Sequence, residues 1–152
     1  MFIALCGFSL FPLLYFSYIP PMITKKTEYA IRAMVELARE PETMSTANRI
    51  AQVQEIPPKY FPQIVSELSR AGLLTSVRGF GGGIRLGRPA REITLLNIIE
   101  ATQGTLAMFE CQTGQCDCVQ LPNCKLKVTY NKAQTSLETV FRETKLSDIR
   151  FK

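Results

Sequence analysis

No histidine and no tryptophan occur in the 152-residue chain. The missing histidine removes the commonest catalytic base and the commonest metal ligand. Any bound metal must then be held by thiolates, carboxylates or backbone. No base–nucleophile pair stands out, which leaves an enzymatic reading without support. Residues 1–21 hold no charged side chain, and residues 92–124 hold no basic one. No internal repeat and no low-complexity tract is present. Cysteine is scarce outside one short stretch. Of five, four fall at Cys111, Cys116, Cys118 and Cys124. That is too few and too clustered for a secreted disulfide scaffold. It suits a reduced, cytosolic protein with a metal or redox site.

The uncharged stretch Met1–Pro21 is rich in Phe, Leu, Ile and Tyr. A signal peptide needs a basic n-region and a small-residue cleavage site, and both are missing. A membrane span needs about 20 apolar residues without a breaker, yet Pro12 interrupts the run and Pro20-Pro21 close it. The expected account is a mis-assigned start, with translation from Met22. Residues 1–21 would then be a non-native or disordered extension. A hydrophobic anchor is the alternative.

The charge that is present is unevenly placed. Residues 22–58 balance five basic against five acidic side chains, whereas residues 59–91 carry six basic and one acidic. Residues 92–124 carry four acidic side chains, and residues 125–152 return to +4. A basic block of this kind is the footprint expected of a phosphate-contacting surface. A solvated basic face has the same charge pattern.

Apolar periodicity predicts a helix over 24–39, with Thr24 or Thr27 as N-cap. Ser45 or Thr46 can cap a short helix to about Gln54, with Ile50, Ala51 and Val53 inward. Pro57-Pro58 breaks the chain. A third helix, with Phe61, Ile64, Val65 and Leu68 on one face, must start near Phe61, because Pro62 is tolerated only in a first turn. Gly72 suits its C-terminus. Residues 73–77 and 83–86 read as two strands joined by a glycine-rich turn. Three helices and a hairpin make a winged helix-turn-helix, with its helix pair at 46–54 and 59–71. A fourth helix spans 94–103 and stops at Gly104. A cysteine-bearing loop, 107–123, leads to a long helix over about 125–144. There Leu126, Tyr130, Ala133, Leu137 and Val140 form a heptad seam. The seam suits pairing with a second subunit, with packing on its own domain as the alternative.

Three features carry chemistry. The wing, Arg78-Gly79-Phe80-Gly81-Gly82-Gly83, puts a guanidinium on a flexible hairpin, and arginine fits a phosphate or a guanine edge bidentately. Arg85, Arg88 and Arg91 add charge nearby. The glycines form neither a P-loop nor a dinucleotide fingerprint, since no Gly-Lys-Ser/Thr and no βαβ unit accompany them. The third helix offers Lys59, Tyr60, Gln63 and Ser66 near its start, the end that enters a major groove. Gln63 suits adenine, and Lys59 and Tyr60 suit phosphate. An ordinary exposed polar face is the alternative. The cysteine loop, Cys111-x4-Cys116-x-Cys118-x5-Cys124, lacks the regular knuckles of structural zinc sites. It suits an iron–sulfur cluster, which takes thiolate ligands. A thiol–disulfide switch and zinc stay open.

The order of these features resembles the Rrf-two family of bacterial winged-helix regulators, with iron–sulfur branches of the IscR, NsrR and RirA type and a cysteine-metabolism branch of the CymR type. The residues that carry the resemblance are Lys26-Thr27-Glu28-Tyr29-Ala30-Ile31-Arg32-Ala33, Lys59-Tyr60 with Gln63-Ile64, Ala71-Gly72-Leu73-Leu74, Ser76-Val77-Arg78-Gly79, Gly81-Gly82-Gly83 and Ile93-Thr94-Leu95. It covers residues 22–152. The Arg-Gly-x-Gly-Gly-Gly wing after Ala-Gly-Leu-Leu is its most specific part. The resemblance implies that Cys111, Cys118 and Cys124 hold a cluster, with Cys116 an extra thiol able to replace Cys118. Where some members place a histidine after the last cysteine, this chain has Lys127. Nitric-oxide-sensing members take a carboxylate from the partner subunit's first helix, a position that corresponds to Glu28. A surface charge pairing with Arg32 is the alternative for Glu28. Phe80 stands where many members have proline, and Pro62 where IscR-like members have glutamate, so a target sequence does not transfer.

The expected fold is mainly α with a small β-hairpin wing. Residues 22–92 form the winged helix-turn-helix, and 93–152 the cysteine loop and a dimerisation helix. The expected protein is a cytoplasmic, homodimeric regulator of a pseudo-palindromic double-stranded DNA operator. It would sense redox, iron or nitric oxide status through an iron–sulfur cluster, with a four-iron or a two-iron centre both open. Its DNA contacts are expected from Lys59, Tyr60, Gln63, Ser66, Arg78, Gly79 and Arg85. The alternative is a cluster-free regulator of cysteine or sulfur metabolism that acts through thiols or a protein partner. Neither reading involves a membrane.

Overall fold

A computed structural model describes residues 22–79, 81–109, 111, 118–119 and 123–149. The expectations for residues 1–21, Phe80 and Cys116 lie outside the described residues. The order is α1 (Lys25–Arg39), α2 (Ala47–Val53), α3 (Phe61–Arg70), β1 (Leu74–Val77), β2 (Gly83–Leu86), α4 (Leu95–Gln103) and α5 (Leu126–Glu143). Short 3-10 turns at Ala90–Glu92 and Leu146–Asp148 precede α4 and follow α5. Among the described residues, no helix is long and apolar enough to cross a membrane.

Local chemistry sets the helix ends. Thr24, Thr46 and Thr94 are the N-caps of α1, α2 and α4, each hydroxyl accepting a backbone N–H three residues on. Such caps are worth about 1 kcal/mol each. Pro62 falls in the first turn of α3, where its missing N–H costs nothing. At the other end of α3, Leu73 N–H donates to Leu68 C=O and Gly72 N–H to Ser69 C=O, at 2.9 and 3.0 Å. Gly72 has φ +68°, so this is the Schellman closure that glycine favours.

The core is one cluster. Ala30, Ala33 and Met34 of α1 meet Ile50, Phe61, Ile64, Leu68, Leu74, Ile84, Ile93, Ile98 and Leu146. Val53 departs from expectation: it is 52% exposed, and Ile56 beyond the helix is buried in its place. The helix ends at Val53, so the inward position passes to the loop. Leu146 was not anticipated. It is fully buried, and Leu95 N–H to Thr144 C=O and Leu146 N–H to Ile93 C=O (2.9 and 2.8 Å) tie the chain after α5 to the start of α4. Burying such a side chain contributes about 1.5–3 kcal/mol. Residues on both sides of position 92 therefore share one core.

β1 and β2 pair antiparallel, with Leu74 opposite Leu86 and Val77 opposite Gly83. Ser45 extends this ladder: its N–H donates to Ile84 C=O at 2.9 Å and its C=O accepts from Ile84 N–H at 2.7 Å. Ile84 and Leu86 face the core, while Arg85 faces outward. A Cβ added at Gly83 would lie 2.6 Å from the Ser45 carbonyl oxygen. The glycine is there for close approach, not for φ. Gly83→Ala is expected to destabilise the fold by about 1–3 kcal/mol, read as a shifted denaturant midpoint with unchanged slope. An unchanged midpoint would show that the Ser45 strand yields freely.

Candidate nucleic-acid interface and cysteine site

The seven residues expected at DNA occupy two neighbouring elements. Lys59, Gln63 and Ser66 are exposed at and beyond the start of α3, and Tyr60 is half-buried. The Lys59 ammonium sits 4.9 Å from the centroid of the Tyr60 ring. That ring packs in turn on Tyr29 of α1, with centroids 5.7 Å apart. Tyr60 is thus braced from behind, with a cation on its face. Arg78, Gly79 and Arg85 are exposed on the wing, and Gly79 has φ +105°. One open cleft between α2, α3 and the end of β1 is lined by Asn48, Gln52, Pro58, Pro62, Ser76 and Arg78. The fold therefore brings the wing arginine to the same cleft as the first turn of α3.

Sequence reasoning missed Asn48 and Gln52. Both are exposed on α2 and offer amides beside the expected contacts. It also missed a bonded trio behind the face. Gln63 Nε2 donates to Glu67 Oε1 at 2.9 Å, and Lys26 Nζ donates to the same oxygen at 2.8 Å. The Gln63–Glu67 spacing of four residues was the available signal.

The cysteine loop runs between α4 and α5. Cys111 and Cys124 are half-buried, Cys118 is exposed, and all three are free thiols. The loop is fastened at its entry. The Gln134 side-chain amide donates to the Leu106 carbonyl and accepts from Met108 N–H, the latter at 3.1 Å. The Phe109 ring stacks on Tyr130, with centroids 3.8 Å apart and planes at 13°. Cys111 follows two residues later. At the exit, the Cys124 carbonyl accepts from Lys127 N–H at 3.2 Å, joining the thiol-bearing residue to the start of α5. Nothing in the sequence marked Gln134 as this fastener. Gln134→Ala should release the loop entry and raise the alkylation rate of Cys111 several-fold, since two bonds of about 0.5–1.5 kcal/mol each are lost. An unaltered rate would show that the ring stack alone suffices.

Of the residues expected at a metal, Cys111, Cys118, Cys124 and Glu28 are described, and the structure does not gather three of them. Among the described residues, no three Cys, Asp or Glu side chains could hold one ion. What fits a cluster is the chemistry of the donors, three free thiols in one loop. Glu28 lies on the first turn of α1, its carboxylate 2.7 Å from Lys25 Nζ and exposed. Its ion pair is with Lys25, one turn back on α1, and not with Arg32, one turn forward. The bond to Glu28 raises the Lys25 ammonium above its ordinary pKa.

The heptad seam divides. Tyr130 and Leu137 are half-buried, while Leu126, Ala133 and Val140 are exposed at seven-residue spacing. α5 thus packs on its own chain along one edge and leaves an apolar stripe uncovered.

Comparison with known proteins agrees with this architecture. The chain is 35% identical over 128 residues to Protein aau3 of Rhizobium meliloti, covering 84% of this chain and 83% of that one. It is similar to the structure of CymR, described as the global cysteine regulator of B. subtilis, at 29% identity and TM-score 0.67, covering 83% of this chain and 93% of that one. It is also similar to T. potens IscR, at 30% identity and TM-score 0.64, covering 83% of each. Residues 23–151 match the Rrf2 family, described as iron-dependent transcriptional regulators. The chain belongs to the Rrf2 family of winged-helix transcriptional regulators, which bind DNA and are not enzymes.

Proposed function

We propose that this regulator works in the cytoplasm as a homodimer on a pseudo-palindromic operator, and that an iron–sulfur cluster held by Cys111, Cys118 and Cys124 sets its DNA affinity. The observation that carries this reading is a loop with three free thiols, fastened at both ends to α5. The family's description as iron-dependent supports it. Binding or loss of a group at the loop would move its two anchored ends. Gln134 and the Phe109–Tyr130 stack would pass that movement to α5. If α5 joins two subunits, the spacing of the two α3 helices changes with it. A difference of a few kcal/mol between two arrangements is enough to switch occupancy of DNA.

The deciding experiment is anaerobic purification with iron and sulfide analysis, followed by DNA binding before and after the colour is bleached. A brown protein with iron and sulfide in similar amounts, whose DNA affinity changes on bleaching, is expected. Stoichiometric zinc without iron would overturn the cluster. The similarity to CymR favours one second reading, a cluster-free regulator of cysteine or sulfur metabolism. A colourless protein with unchanged thiol-dependent DNA binding would support it.

On the DNA, Arg78→Ala is expected to weaken binding to specific and random duplexes alike and to lower the salt dependence by about one phosphate contact. Loss confined to one base step would give Arg78 a base-reading role instead.

A further inference from the structure

Residues 59–91 carry six basic side chains and a single acidic one, Glu67. An acid on the recognition helix opposes phosphate binding, so its position calls for a reason. Glu67 does not face outward as a free charge. Its side chain is 17% exposed and paired with Lys26 of α1 at 2.8 Å. Its Oε2 is buried without a hydrogen-bond partner among the described residues. Everything Glu67 accepts therefore comes to Oε1, from Lys26 Nζ and from Gln63 Nε2.

That bond fixes which way the Gln63 amide faces. A carboxylate oxygen accepts and does not donate. The group turned toward Glu67 must then be the NH2, which leaves the carbonyl oxygen and the second N–H turned away. Adenine in a major groove presents a donor, N6, and an acceptor, N7, and a glutamine amide reads the two together. The free carbonyl and the free N–H of Gln63 are that pair. With the amide reversed, two oxygens would oppose each other. Lys26 neutralises Glu67 and holds its oxygen in place.

We infer that Glu67, held by Lys26, is a positioning residue for base specificity, orienting the Gln63 amide to read adenine. This rests on the base-reading role of Gln63, and the test separates the two. The full chain and its variants are each bound to a library of duplexes randomised over roughly three helical turns, and the bound fraction is sequenced. The native chain is expected to select adenine at one symmetric position in each half-site. Gln63→Ala should abolish that preference. Glu67→Ala should reduce it about five- to tenfold, within the range of a lost bidentate contact, and leave preferences elsewhere within about twofold. Glu67→Gln keeps an acceptor oxygen facing Lys26 and should retain most of the preference. Glu67→Met fills the same space without an acceptor and replaces Glu67→Ala if that variant does not fold. Retained adenine preference in Glu67→Ala or Glu67→Met, with loss in Gln63→Ala, overturns the inference alone. An equal fall at every position makes Glu67 a mere tether between α1 and α3 and also overturns it. Retained preference in Gln63→Ala removes the base-reading role and this inference together.

Discussion

Cys111→Ser and Cys124→Ser are each expected to abolish the visible absorption of the anaerobically purified protein, with iron and sulfide falling to background. The two thiols lie at the two fastened ends of the loop, so neither can be replaced by a neighbour. Cys111 follows the segment that Gln134 and Tyr130 hold, and Cys124 abuts the start of α5. Cys118 lies in the span between, where Cys116 is two residues away and able to substitute in part. Cys116→Ser should therefore keep the colour. With no histidine in the chain, the fourth ligand of the proposed cluster is expected to be Cys116, Glu28 of the partner subunit or an exogenous group. Glu28→Gln tests the second choice. It should leave the fold intact, because its ion pair with Lys25 is exposed and screened by solvent. A full cluster retained in Cys111→Ser or Cys124→Ser would remove the assignment of these ligands.

Val140→Glu and Leu126→Glu are expected to turn a dimer into a monomer and to lower affinity for a two-half-site duplex by about 10²–10⁴-fold, the gain that linked binding gives. Leu126 is 56% exposed and Val140 58% exposed, on a helix with no buried residue. An 18-residue helix with an apolar stripe open to water is incomplete without a cover. A second copy is the expected cover, since the same stripe repeats at the heptad spacing of a two-helix seam. Binding to a single half-site should change little, because α5 supplies none of the expected DNA contacts. Sedimentation of the variants reads the first effect, and titration of duplexes with one and two half-sites reads the second. Sedimentation as a dimer with Glu at position 140 would place the subunit interface elsewhere.

The sequence by itself determined the local architecture, because its signals act over a few residues. Hydroxyl residues ahead of apolar periodicity, Thr24 or Thr27 and Ser45 or Thr46, marked the starts of α1 and α2. Pro62 and Gly72 bounded α3 through fixed φ and tolerated φ. The glycine run located the wing, and the absence of histidine narrowed any metal site to thiolates, carboxylates or backbone. Only the tertiary structure decided what distant segments do to one another. Leu146 closes the core beneath α1 across more than a hundred residues of chain, and no local pattern announces that. Gln134 spends its amide on the backbone of Leu106 and Met108, a pairing invisible to side-chain periodicity. Gly83 is glycine because Ser45 approaches it, not because of its own φ. Glu67, on charge alone a stray acid in a basic block, is bonded to Lys26 and Gln63 because α1 crosses behind α3. The heptad seam was legible, but its division into a half-buried edge and an open stripe was not. Periodicity fixes which side chains share a face, and only packing decides what that face meets.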